Sequence, residues 1–106
     1  DVLESEASVV VIGDVEHGAR IISKGNIIVL GALKGTAAAG MAGNQEAVVV
    51  ALEMAPTQIR ICDATSRFNE RNRRLGRGPM IAAAVQDEVQ IQPIKKTFLN
   101  NMLNLP

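Results

Sequence analysis

Hydrophobic positions along this 106-residue chain fall into short runs, not into helical stripes. Val9-Val10-Val11-Ile12, Ala19-Arg20-Ile21-Ile22, Ile27-Ile28-Val29-Leu30 and Thr36-Ala37-Ala38-Ala39 are each four residues long. Glycines stand between them: Gly13, Gly18, Gly25, Gly31, Gly35, Gly40 and Gly43. From residue 44 to 75 there is no glycine. Runs this short cannot sustain helices. They predict short strands that turn sharply where glycine frees the backbone.

The runs repeat. Val9-Val10-Val11-Ile12-Gly13 returns as Ile27-Ile28-Val29-Leu30-Gly31, eighteen positions on, and Lys24-Gly25-Asn26 returns as Ala42-Gly43-Asn44 at the same spacing. Gly18 pairs with Gly35, one residue short, which places the length variation in a turn. Self-similarity at a fixed period marks a solenoid whose coils bury their faces against their neighbours. Eighteen residues suit three short strands and three corners, so the expected fold is all-β, a three-sided β-helix. Asn26 and Asn44 each follow a glycine and are expected to stack as a ladder of side-chain hydrogen bonds. Ordinary hairpins in a small sandwich are the alternative, but they impose no eighteen-residue repeat.

Further along, Ala47–Leu52 reads as a longer strand, Pro56-Thr57 as a turn, and Gln58-Ile59-Arg60-Ile61 as a strand with one wet face. Residues 64–79 carry five arginines, Arg67, Arg71, Arg73, Arg74 and Arg77, against the single acid Glu70, and read as a loop. Met80–Val85 and Val89–Ile94 predict a hairpin around Gln86-Asp87-Glu88. Thr97 is placed to cap a short terminal helix bearing Phe98 and Met102. The runs at Val9–Ile12, Ile27–Leu30 and Val48–Leu52 are continuous, not alternating, so they are apolar on both faces. One side fills the coil. The other meets a second chain, making a homodimer with Val29 and Val49 as markers of its face, or is covered by the segment after residue 64.

Composition sharpens this picture. Hydrophobic residues make up 47% of the chain but aromatics only 2%, with eleven Val and ten Ile. Narrow stacked coils call for such side chains, whereas a conventional sandwich anchors on Trp and Tyr. The lack of exposed rings also disfavours stacked recognition of nucleic acid. Length supports one domain over residues 1–106, and the start at Asp1, not Met, suggests a piece of something longer. Cys62 is the sole cysteine, which excludes an intrachain disulfide. Eleven basic and eleven acidic residues cancel, yet residues 1–16 hold five acids and no Lys or Arg. His17, beside Asp14 and Glu16, is the one candidate general base or metal ligand. It keeps a β-helix acyltransferase as an alternative, and an end-to-end polymerising scaffold is another. The plainer reading is an exposed turn, with no catalytic residue, metal or cofactor.

The residues Val9–Val15, Gly18-Ala19, Gly25-Asn26-Ile27-Ile28-Val29-Leu30-Gly31-Ala32-Leu33-Lys34-Gly35, Ala39-Gly40, Gly43-Asn44 and Pro56–Ile61 resemble the C-terminal domain of the bacterial septum site-determining protein MinC. The likeness runs from the first residue to about Cys62 and resumes at Pro79–Ile94. It implies a right-handed, three-sided β-helix that dimerises through one face and has no catalytic activity. It implies binding to the ATP-bound, membrane-attached ATPase MinD, hence a cytoplasmic protein that reaches the membrane only through that partner. It implies a role in cell division, keeping the FtsZ ring from the wrong sites, with the main FtsZ-inhibitory activity in an N-terminal domain that these residues do not include. The family's MinD-binding signature is Arg-Ser-Gly and then Gln or a similar residue before the first strand, of which Asp1 matches the last position. The resemblance points to a docking edge of Asp1, Asp14, Gly18, Ala19, Gly25 and Asn26. Family members often carry Glu where this chain has Arg20, and the resemblance carries no role over to the arginines of 67–77.

Overall fold

A computed structural model describes residues 2–67 and 78–94. Every regular element in that range is a strand. In chain order these are β1 (Val2–Ser5), β2 (Val9–Ile12), β3 (Arg20–Ser23), β4 (Ile27–Leu33), β5 (Thr36–Ala39), β6 (Val48–Met54), β7 (Gln58–Ile61), β8 (Ala64–Arg67), β9 (Met80–Val85) and β10 (Glu88–Pro93). Successive coils feed two sheets in turn. One sheet has the order β1-β3-β5-β7-β8 and the other β10-β9-β6-β4-β2. Pairing is parallel from coil to coil and becomes antiparallel only at β8, β9 and β10.

A third, narrow side completes the triangle. At Gly31 the register of β4 shifts, and Ala32-Leu33 then pair with Glu53-Met54 while Val15 bridges Leu33. Val15 N–H donates to Ala32 O at 2.8 Å, and Ala55 N–H to Leu33 O at 3.0 Å. The protein is thus a three-sided right-handed β-helix, the hand that parallel crossovers adopt. The hairpin expected near residue 80 is present, with β9 against β10 around Gln86-Asp87. The terminal helix expected from Thr97 lies outside the described residues, as do residues 68–77 of the Arg-rich segment.

The register confirms part of the repeat and revises the rest. Val9 pairs with Ile27 and Val2 with Arg20, both eighteen positions apart. Beyond the second coil the spacing is uneven, since Thr36 follows Arg20 by sixteen and Val49 follows Ile27 by twenty-two. The surplus lies in the corner of residues 40–47. Gly43-Asn44 therefore does not stack on Gly25-Asn26, and no asparagine ladder forms. Asn26 Oδ1 instead accepts from Val48 N–H at 2.9 Å, while Asn44 Oδ1 accepts from Glu46 N–H within its own turn. Gly35 stacks on Ala19, not on Gly18, one step before the Arg20–Thr36 pair, and an added Cβ there would run into the Ala19 carbonyl.

The interior is a set of side-chain columns. Ile21, Ala37 and Ile59 stack on one sheet, and Ile27, Val49 and Ala82 on the other. Each fully buried Val or Ile contributes roughly 1.5–3 kcal/mol over its exposed state. Ser23, the buried polar side chain of this core, donates to Ala7 O at 2.7 Å and accepts from Gly25 N–H at 3.0 Å. Two expectations fail here. Val29 and Val49 are fully buried in the core and mark no outer face. Residues 64–67 are strand, not loop. Cys62 adopts a positive φ of 54°, the chain reverses, and Ala64 returns opposite Ile61.

Candidate protein-docking site

The outward positions of the second sheet follow from the burial of Val29 and Val49, since side chains alternate along a strand. Val10 and Ile12 of β2, Ile28 and Leu30 of β4, Val50 of β6 and Ile81 and Ala83 of β9 share that outer face. Val10, Ile28, Val50 and Ile81 form one row in register across four strands. Val10, Ile12, Leu30, Leu52 and Val85 are each at least 42% exposed. That row ends at Gln92 on β10 and the neighbouring one, through Ala83, at Gln90, which together form a polar border. The described strands after residue 64, β8, β9 and β10, do not fold over this surface. It widens the face, because β9 pairs edge-on with β6. Contiguous apolar surface of this kind marks a protein-contact site.

The outer face of the first sheet is different in kind. Arg20, Thr36 and Gln58 line up in one register row, and Ile22, Ala38 and Arg60 in the next. It is a mixed, cation-bearing surface against the apolar one round the corner.

The residues expected to form a docking edge sit on three different corners. Asp14 lies between the second sheet and the narrow side, Gly18 and Ala19 between the narrow side and the first sheet, and Gly25 and Asn26 between the two sheets. Asp1 lies outside the described residues. Two of these polar groups staple coils together. Asp14 Oδ1 accepts from Ala32 N–H at 2.7 Å, and Asn26 from Val48 as above. Gly18 has a φ of +85° with open space where a Cβ would stand. Among the described residues of different corners, Asp14 and Ala19 come together, along a depression of about 320 Å³ that also involves Leu3, Val15 and Arg20.

His17 is exposed on its corner and lines none of the described cavities. Among the described residues no group of three His, Cys, Asp or Glu is placed to hold a metal ion. Cys62 is buried in the β7–β8 turn. No helix among the described residues is long and apolar enough to cross a membrane. Among the described residues this arrangement brings no nucleophile and base together at a pocket. It presents faces.

The sequence profile of the septum formation inhibitor MinC, C-terminal domain, matches residues 1–94. The chain belongs to the MinC C-terminal domain family. Among proteins named as septum site-determining protein MinC, that of Agathobacter rectalis is 40% identical over 95% of this chain and 46% of its own length. That of Thermosynechococcus vestitus is 44% identical over 86% of this chain and 34% of its own. The chain thus spans less than half the length of these relatives. A chain from the solved MinC:MinD cell division protein complex of Aquifex aeolicus superposes with a TM-score of 0.78 at 29% identity, covering 96% of this chain and 93% of that one. The surfaces of this MinC domain that sequence alone did not single out are Val10, Ile12, Leu30 and Val50. No signal in a continuous apolar run reveals which residues face outward. The alternation of β10, Val89-Gln90-Ile91-Gln92, carries that parity, but only once its pairing to β9 is known.

Proposed function

We propose that this domain is a non-catalytic docking module of a cell-division inhibitor, dimerising through the outer face of its second sheet and binding the ATP-bound form of MinD. Its family membership and its likeness to a chain of a MinC:MinD complex support the partner. The observation that carries the dimer is the apolar row Val10-Ile28-Val50-Ile81, left uncovered by the rest of the described chain. On this reading the protein is cytoplasmic and reaches the membrane through MinD, and its whole-length form keeps FtsZ assembly from the wrong sites. Two copies present two MinD sites, and linked sites gain avidity on a partner concentrated at a surface.

The test is sedimentation with anionic lipid vesicles and the MinD of the same bacterium. The domain is expected in the pellet with MinD and ATP, and in the supernatant with MinD and ADP or with vesicles alone. Equal pelleting in all three conditions, or none in any, contradicts the proposal.

A further inference from the structure

Three adjacent strands of the first sheet enclose a hollow of about 160 Å³, lined by Arg20 and Ile22 of β3, Thr36 of β5, and Gln58 and Arg60 of β7. Arg20, Thr36 and Gln58 stand in one register row, and Ile22 and Arg60 in the next outward row, so the two arginines face the hollow from diagonal ends. Both are exposed. Among the described residues, the ion pairs are Lys24 with Glu6 at 3.3 Å and Lys34 with Glu16 at 4.0 Å, and neither involves these arginines. The row of Arg20 runs Val2, Arg20, Thr36, Gln58, Arg67 and contains no acid. The row of Arg60 contains one, Glu4, three strands away on β1. Arg60 is also held in place. Its Nε donates to Cys62 O at 2.9 Å, which directs the guanidinium and leaves its terminal N–H groups for another acceptor.

Geometry and charge together select the ligand. Arg20 and Arg60 lie two strands apart and two residues along, so their backbones are separated by about 12 Å. Side chains reaching inward from both ends close that gap on one group held between them. A carboxylate has two oxygens and fills a single guanidinium fork. A phosphate monoester has three free oxygens and close to two negative charges, enough to accept from both forks and from the Thr36 hydroxyl or the Gln58 amide. Ile22 gives the hollow an apolar wall for the carbon that carries the ester. We infer that this hollow binds one phosphate monoester group between Arg20 and Arg60, carried by a soluble ester or by a lipid headgroup. Neither a second copy nor MinD takes part, so the site is independent of the docking proposed above.

The test titrates the isotope-labelled 106-residue chain with glycerol phosphate and follows its amide resonances, whose dispersion also shows that each variant is folded. Saturable shifts are expected on β3, β5 and β7. Arg20→Gln and Arg60→Gln are each expected to weaken binding about tenfold and the double variant further, because each removes one fork. Lys34→Gln, off this face, is expected to stay within about twofold of wild type. Acetate at the same ionic strength is expected to bind at least about tenfold more weakly than glycerol phosphate, since its carboxylate fills one fork. Sedimentation with phosphatidylcholine vesicles, with and without phosphatidic acid, separates the sources. Pelleting that needs both phosphatidic acid and the two arginines supports the site with a lipid headgroup as its ligand. Saturation by glycerol phosphate without such pelleting supports it with a soluble ester. Acetate binding as tightly as glycerol phosphate, a folded double variant that binds like wild type, or no saturable binding of either phosphate probe overturns the site.

Discussion

Corner residues decide whether the coils can stack. Gly31 adopts no left-handed conformation, yet an added Cβ there would run into the Gly13 carbonyl and meet Asp14 Oδ1 at 2.6 Å. Backbone of one coil lies directly against backbone of the next, and Asp14 uses that closeness to reach Ala32 N–H. Gly43 contrasts with it. Its φ is +97°, and nothing stands within 4 Å of its missing Cβ. Gly31→Ala is therefore expected to cost about 1–3 kcal/mol through overpacking against a rigid neighbour. Gly43→Ala costs about 1–2 kcal/mol through conformation alone. Urea unfolding midpoints check both. Adding Asp14→Ala separates the mechanisms, because removing the carboxylate relieves part of the Gly31→Ala penalty and leaves that of Gly43→Ala unchanged. Glycine spacing was readable in the sequence as a set of corners. Which glycine is needed for close approach and which for its φ was not, since that depends on what the next coil places beside it.

Strands were legible where their flanks were. β2, β3, β4, β5 and β7 follow from short apolar runs closed by turn residues, and the β9–β10 hairpin from two runs around Gln86-Asp87. β8 was not, because Ala64-Thr65-Ser66-Arg67 has no apolar periodicity of its own and is held by its ladder to β7. The asparagine ladder failed for a related reason. The equal spacing of Gly25-Asn26 and Gly43-Asn44 is a coincidence of sequence that the longer third corner breaks. The hairpin itself carries a testable flaw. Gln86 and Asp87 have φ of 51° and 66°, the geometry of a two-residue turn with both central residues left-handed. Asn-Gly suits that turn far better than Gln-Asp. Gln86→Asn with Asp87→Gly is expected to stabilise the domain by about 0.5–1 kcal/mol, read as a rise in melting temperature with no change in MinD affinity.

At the scale of the molecule, the composition explains how one small chain supports two unlike faces. A core of Val, Ile and Ala is thin enough for every strand to have both an inner and an outer surface within reach of a partner. Strands β2, β4 and β6 of the second sheet are apolar on both, and this ambiguity is why the sequence pointed to a dimer face but assigned it to Val29 and Val49. Adjacent residues now give opposite expectations. Val29 is fully buried, so Val29→Lys places an ammonium in the coil with no counter-charge and costs several kcal/mol, enough to unfold a domain of this size. Leu30 is 44% exposed on the outer face, so Leu30→Lys leaves the coil intact and sets two like charges across the proposed two-fold interface. Light scattering with circular dichroism separates the cases: wild type a dimer, Leu30→Lys a folded monomer, Val29→Lys unfolded. A Leu30→Lys protein that remains a dimer would move the interface off the second sheet.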